Sequence, residues 1–63
     1  MTTVSFDKFF VQGILAGLTV SETMTFTDFD TACKWAAGVT ENLSCDYVVQ
    51  NMVDASTGQK ANF

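Results

Sequence analysis

The sequence predicts a small α+β domain spanning residues 1–63, with two helices packed on a three-stranded sheet in the order helix, strand, helix, strand, strand. Three observations predict it. Apolar residues recur at spacings of three and four over residues 5–18 and again over 27–41. They alternate over 18–26, and the helical period gives way again over 46–54, a short β-branched run. A Gly-containing turn at 55–58 then lets the chain fold back.

Residues 5–18 carry Phe6, Phe9, Phe10, Gly13, Ile14, Gly17 and Leu18 on one face of a 3.6-residue period. Ser5 suits the N-cap, and Asp7 falls in the first turn, where the helix dipole favours an acid. Gly13 and Gly17 admit two readings: a small-residue seam for close backbone approach, or a helix that ends at Gly17. The seam predicts self-association through Phe9, Phe10, Gly13, Ile14 and Gly17. The apolar run Phe9–Val20 is shorter than the roughly 20 residues a bilayer span needs. It reads as a buried helix or dimer seam before a membrane-active segment.

Residues 18–26 switch to strict alternation, with Leu18, Val20, Met24 and Phe26 against Thr19, Ser21, Thr23 and Thr25. This is a half-buried strand. Glu22 interrupts its apolar face and marks a bulge, an exposed end or a bend. If it faces inward it needs a partner such as a lysine, since a lone buried carboxylate is costly.

Thr27 is the expected N-cap of the second helix, with Asp30 three residues on in a capping-box position. Phe29, Ala32, Cys33, Ala36 and Val39 form its apolar stripe, with Trp35 at the edge. The stripe carries the helix to Glu41, with Asn42 as a left-handed cap. Asp46–Asp54 is the next strand, with Tyr47, Val49, Asn51 and Val53 on one face and Val48, Gln50 and Met52 on the other. Both faces are mixed, as in a central strand. Gly58 suits a turn needing positive φ, after which Gln59–Phe63 returns as a third strand.

A 63-residue chain holds one domain at most, and buries only about 60% of its unfolded surface. Its 48% hydrophobic content exceeds what so small a core can take up. Apolar surface facing a partner is therefore expected, a second copy being the simplest. The net charge is −4, with three lysines, no Arg and no His. That argues against direct nucleic-acid binding, since phosphate neutralisation needs basic side chains. Cys33 and Cys45 read as two buried reduced thiols of a cytosolic protein rather than as one bridge. Asn42-Leu43-Ser44 fits a glycosylation sequon, a pattern short enough to arise by chance. No charged segment with a cleavage site precedes an apolar run, so no signal peptide is expected.

No catalytic spacing is found. Without His, a general base must be Asp, Glu or Lys. Asp28 and Asp30 diverge at i, i+2, and capping already accounts for them. Cys33 lies among apolar neighbours, where a thiol stays protonated. Two cysteines without His do not close a zinc site. The chain reads as a non-enzyme with no catalytic, cofactor-binding or metal-binding residues and no cofactor. Trp35 and Tyr47 read either as core aromatics or as interface anchors. With Asp28, Asp30 and Asp46 they form the predicted protein-binding surface.

In composition the chain resembles the short single-domain proteins of bacteriophage genomes, which are acidic and lack a catalytic signature. The resemblance rests on style and on no motif. It implies inhibition or modulation of a host or defence protein by steric occupation, in the host cytoplasm. The alternative it implies is a structural or assembly component such as a minor virion protein. The expected partners are a protein target and a second copy of the chain, with no nucleic acid and no membrane.

Overall fold

The computed structural model describes all residues, Met1–Phe63. Its elements are β1 (Thr2–Phe10), β2 (Thr19–Phe26), α1 (Phe29–Glu41) and β3 (Tyr47–Asp54). The strands form one antiparallel sheet in the order β2-β1-β3. β2 and β3 are thus parallel to each other, and α1 carries the chain between them across one face of β1. The fold is β-β-α-β with one helix, not two helices on the sheet.

The predicted first helix is overturned. Residues 2–10 are the central strand, and 11–18 are the hairpin loop that follows it. Thr2, Val4, Phe6, Lys8 and Phe10 alternate as well as the phenylalanines recur, and the register with β2 places all five on the helix side. Phe9, expected beside Phe6, falls on the opposite side of the sheet. Gly13 and Gly17 adopt φ of +83° and +92°, which a right-handed helix excludes. Gly17 donates to Phe10 O at 2.8 Å while Phe10 donates to Leu18 O at 2.9 Å. Those two bonds make a bulge with glycine in the left-handed position, and they close the hairpin.

β2 matches the expected strand. Glu22 is neither a bulge nor a strand end. It faces the helix side, and its Oε1 lies 3.4 Å from Lys8 Nζ on the neighbouring strand. The bulge lies in β3 instead. The β1–β3 register shifts between Ser5 and Asp7, and Asn51 takes a φ of +55° there. The extra residue resets the alternation. Val49, Met52 and Asp54 all turn inward, whereas an unbroken strand would place Asn51 on that side. β3 is therefore an edge strand with one re-phased apolar face, not a mixed central one. Gln59–Phe63 form no strand; Lys60 makes a single bridge to Val53.

α1 ends at Glu41 as the stripe requires, but its caps differ from expectation. Asp28, not Thr27, is the N-cap, its Oδ1 accepting from Thr31 N–H at 2.7 Å. Asp30 is drawn to Lys34 at 3.1 Å, one turn on. Asn42 stays extended at φ −82° and donates its N–H to Val39 O.

The core is Val4, Phe6, Ala32, Ala36, Val49 and Met52, edged by Met24, Phe26, Phe29, Trp35, Val39 and Tyr47. Ala32 and Ala36 are one turn apart, and their small side chains bring the α1 backbone close to Phe6 and Met52. Burying a Phe or Met side chain stabilises by about 1.5–3 kcal/mol, so these two contacts matter in so small a core. The sheet's other face carries Thr3, Ser5 and Asp7 from β1 and Thr19, Ser21, Thr23 and Thr25 from β2. No element covers it, and its side chains are mostly polar.

Asn51 is a direct test of the re-phasing. Asn51→Gly should keep the bulge and most of the stability. Asn51→Val, β-branched in a left-handed position, should cost about 1–3 kcal/mol. Urea unfolding distinguishes them; equal stabilities would rule out a bulge here.

Candidate functional site

The hairpin loop 11–18 and the α1–β3 loop 42–46 meet at one end of the molecule, and their backbones hold each other. Asp46 O accepts from Val11 N–H at 2.8 Å and from Gln12 N–H at 3.3 Å. The Gln12 side chain donates from Nε2 to Leu43 O and Cys45 O, each at 3.0 Å. Within the hairpin loop, Ala16 donates to Gly13 O and Leu18 to Leu15 O. Within the other loop, Asn42 Oδ1 accepts from Ser44 N–H. Gly13 packs so near Asp46 that a Cβ there would stand 2.9 Å from Oδ2.

The hydrogen-bonding groups of the two loops are engaged with one another, and the aliphatic side chains are left exposed. Ile14 is 99% exposed and Leu43 93%, and Val11, Leu15 and Leu18 are exposed beside them. Single exposed aliphatics are ordinary, but a group of them on two interlocked loops is a candidate docking surface.

The residues expected to bind a partner are dispersed. Asp28 and Asp30 sit at the N-terminal end of α1, and Asp46 lies beyond its C-terminal end. Asp30 is the second residue of α1, and the helix runs on to Glu41 before the loop to Asp46, so about 16 Å of helix lies between the two groups. Trp35 packs between Phe6 and Phe26, with ring centroids at 5.4 and 5.5 Å, so it is a half-buried core aromatic. Tyr47 meets Phe10 in a tilted contact with ring centroids at 5.5 Å and lies 4.9 Å from Lys8 Nζ. The residues expected to self-associate are scattered too. Phe9 lies on the open face and Phe10 on the helix side, and Gly13 and Gly17 shape the loop. Only Ile14 is freely displayed. The sequence reading missed Leu43, Leu15 and Val11. A large aliphatic inside the polar turn Asn42-Leu43-Ser44 was the available signal.

On the open face, Asp7 accepts from Ser21 Oγ at 2.8 Å and from Asn51 Nδ2 at 3.0 Å. The Asn51 bond first, then the Ser21 bond, holds its carboxyl below the usual carboxylate range. Both oxygens are thus engaged by the chain itself, and the cluster ties β3's bulge to β1 and β2. Asp28 is lowered by the Thr31 N–H, and Asp54 by the Ser56 hydroxyl and N–H. Cys33 and Cys45 are free and half-buried. Cys33 is less buried than its place on the stripe predicts, yet desolvation, and then the charge of Asp30, raises its pKa. No three His, Cys, Asp or Glu residues converge as metal ligands.

No family model, curated protein or solved structure matches the chain. No helix is long and apolar enough to cross a membrane.

Two outcomes follow from these groups. Asp7, Asp28 and Asp54 all have lowered pKa values in the fold. The unfolded chain therefore takes up protons on them first. Their contribution should be complete above the ordinary carboxylate range and fall as the pH drops through the lower folded values. Urea midpoints measured from about pH 6 downward should decrease, and Asp7→Asn should flatten part of the decrease. A midpoint that rises on acidification would contradict the assignment. Cys33 should react with a thiol reagent more slowly in the native state than in denaturant at neutral pH, because less thiolate is present. Mass spectrometry of labelled peptides reads this directly.

Proposed function

We propose that the chain is a non-enzymatic protein-binding module that occupies a partner's surface with the apolar end formed by Val11, Ile14, Leu15, Leu18 and Leu43. The observation that carries this reading is the exposure of Ile14 and Leu43 on loops cross-braced by Gln12 and Asp46. Loops ordered before binding lose little further entropy on association, so the apolar contact is retained as affinity. Asp28 and Asp30 lie at the far end of α1, which leaves Asp46 as the acid at the rim of the apolar surface. Steric inhibition or modulation of a host or defence protein, the role implied by the phage-like composition, fits this mode of action.

A photo-crosslinking residue at position 14 should capture the partner, and the same residue at Thr31 should not. With that partner purified, Ile14→Asp and Leu43→Asp should each weaken binding, by about 2 kcal/mol or more where the residue is a central anchor. Asp28→Asn and Asp30→Asn should leave the affinity unchanged, and salt should have little effect. If the acidic substitutions weaken binding while Ile14→Asp binds like wild type, the docking surface is the acidic end and this assignment is wrong.

A further inference from the structure

The two edges of the sheet are finished differently. On β3, the chain covers its own edge. Val49 N–H donates to Thr40 Oγ1 at 3.1 Å, Asp54 N–H donates to Gln59 O at 2.8 Å, and Met52 O accepts from Ala61 N–H at 2.9 Å. On β2, nothing does. Odd-numbered residues of β1 turn their backbone groups toward β3, as the bond from Ala55 N–H to Thr3 O and that from Val11 N–H to Asp46 O show. Even-numbered residues of β1 therefore pair with β2, at Val20, Glu22, Met24 and Phe26. The backbone N–H and C=O of Thr19, Ser21, Thr23 and Thr25 are left pointing outward, and none of them has a backbone partner.

Natural edge strands of this length are usually blunted by proline, charged side chains, inward-pointing charges, a bulge or a covering segment. β2 has no proline, lysine, bulge or covering segment over eight residues, its register with β1 is unbroken, and its one such device is Glu22. Its single charge, Glu22, faces the helix side and is neutralised by Lys8.

We propose that β2 pairs antiparallel with β2 of a second copy of this chain, joining two three-stranded sheets into one six-stranded sheet across a two-fold axis. An antiparallel edge complements itself, which is what an isologous dimer requires. Charge selects the register. Centring the axis on Glu22 would set two carboxylates directly opposite each other, a destabilising pair. Centring it on Ser21 leaves Phe26 without a cross-strand neighbour. Centring it on Thr23 sets Glu22 against the second copy's Met24 and Val20 against its Phe26. Ser21, Thr23 and Thr25 of each copy then exchange N–H and C=O groups. Val20 and the half-buried Met24 and Phe26 lie on the helix side, and this register covers them further. The surface is separate from the apolar end, so the dimer presents two such ends.

The test is the solution mass of purified protein by sedimentation across micromolar to millimolar concentration. Wild type should dimerise. Thr23→Pro removes an outward N–H that β1 does not use, so the monomer should stay folded by circular dichroism while dimerisation weakens at least tenfold. Should that variant fail to fold, Thr23→Lys and Thr23→Glu change only an exposed side chain on the open face. Each alone should weaken the dimer through like charges across the axis, and mixing the two should restore it. A wild type that remains monomeric to millimolar concentration overturns the proposal. So does a dimer that ignores every Thr23 substitution but is lost in Ile14→Asp, which would place the contact at the apolar end.

Discussion

The seating of α1 on Phe6 is the contact on which the rest of this structure depends. Phe6 lies at the centre of the middle strand, 2% exposed. Trp35 meets it edge-on, and Ala32 and Ala36 of the same helix share its cluster. Phe26 of β2 braces the other side of Trp35, so one aromatic stack links helix, central strand and edge strand. A single helix can shield one face of a sheet only. That limit explains why the opposite face is built mostly from Thr, Ser and Asp, with Phe9, Val48 and Val53 half-buried among them, and why the most exposed aliphatic residues lie at the loops.

Two bulges turn this limited core into a definite shape. At Gly17 the left-handed residue closes the hairpin and sends the loop toward the end of α1. At Asn51 the extra residue of β3 turns Met52 and Asp54 inward, and the Asn51 amide is spent on Asp7 rather than left unpaired. Lys8 serves a third joint. Its ammonium lies between Glu22 and the Tyr47 ring on the helix side of the sheet, 3.4 Å from the carboxylate and 4.9 Å from the ring centroid. A partly exposed pair of this kind adds about 0–1 kcal/mol, and the Glu22 side chain stays 41% exposed on that side.

The result is a molecule with different chemistry at its two ends. Around the start of α1 lie Asp28, Asp30 and Asp54, each held by a cap, a neighbouring lysine or a turn. Beyond its C-terminus lie the interlocked loops with their aliphatic side chains. Asp28 and Asp30 are thus separated from the aliphatic loops by the length of α1, while Glu41 and Asp46 lie beside those loops. The proposed apolar contact at one end and the proposed pairing along the β2 edge use separate surfaces.

The sequence by itself determined the local features. The alternation over 18–26 and the short β-branched run over 46–54 located β2 and β3, the stripe from Phe29 to Val39 located α1 and its length, and Gly58 marked a turn with φ of +78°. It also showed that an inward Glu22 would need a partner, for which a lysine would serve. Only the tertiary structure decided the state of residues 5–18. Their apolar residues satisfy a helical period and an alternating one at once, and local periodicity cannot separate the two when phenylalanine stands at positions 6, 9 and 10. Pairing on both sides made Thr2–Phe10 the central strand, which left Ile14 and Gly17 to a loop and dispersed the expected self-association face. The phase of β3 was beyond the sequence for the same reason. A one-residue bulge at Asn51 is set by the partner strand, and it reverses which side chains are buried. The candidate site was partly legible through Ile14, but its companion Leu43 is 29 residues away in the chain, and only the hydrogen bonds of Gln12 and Asp46 bring the two loops together.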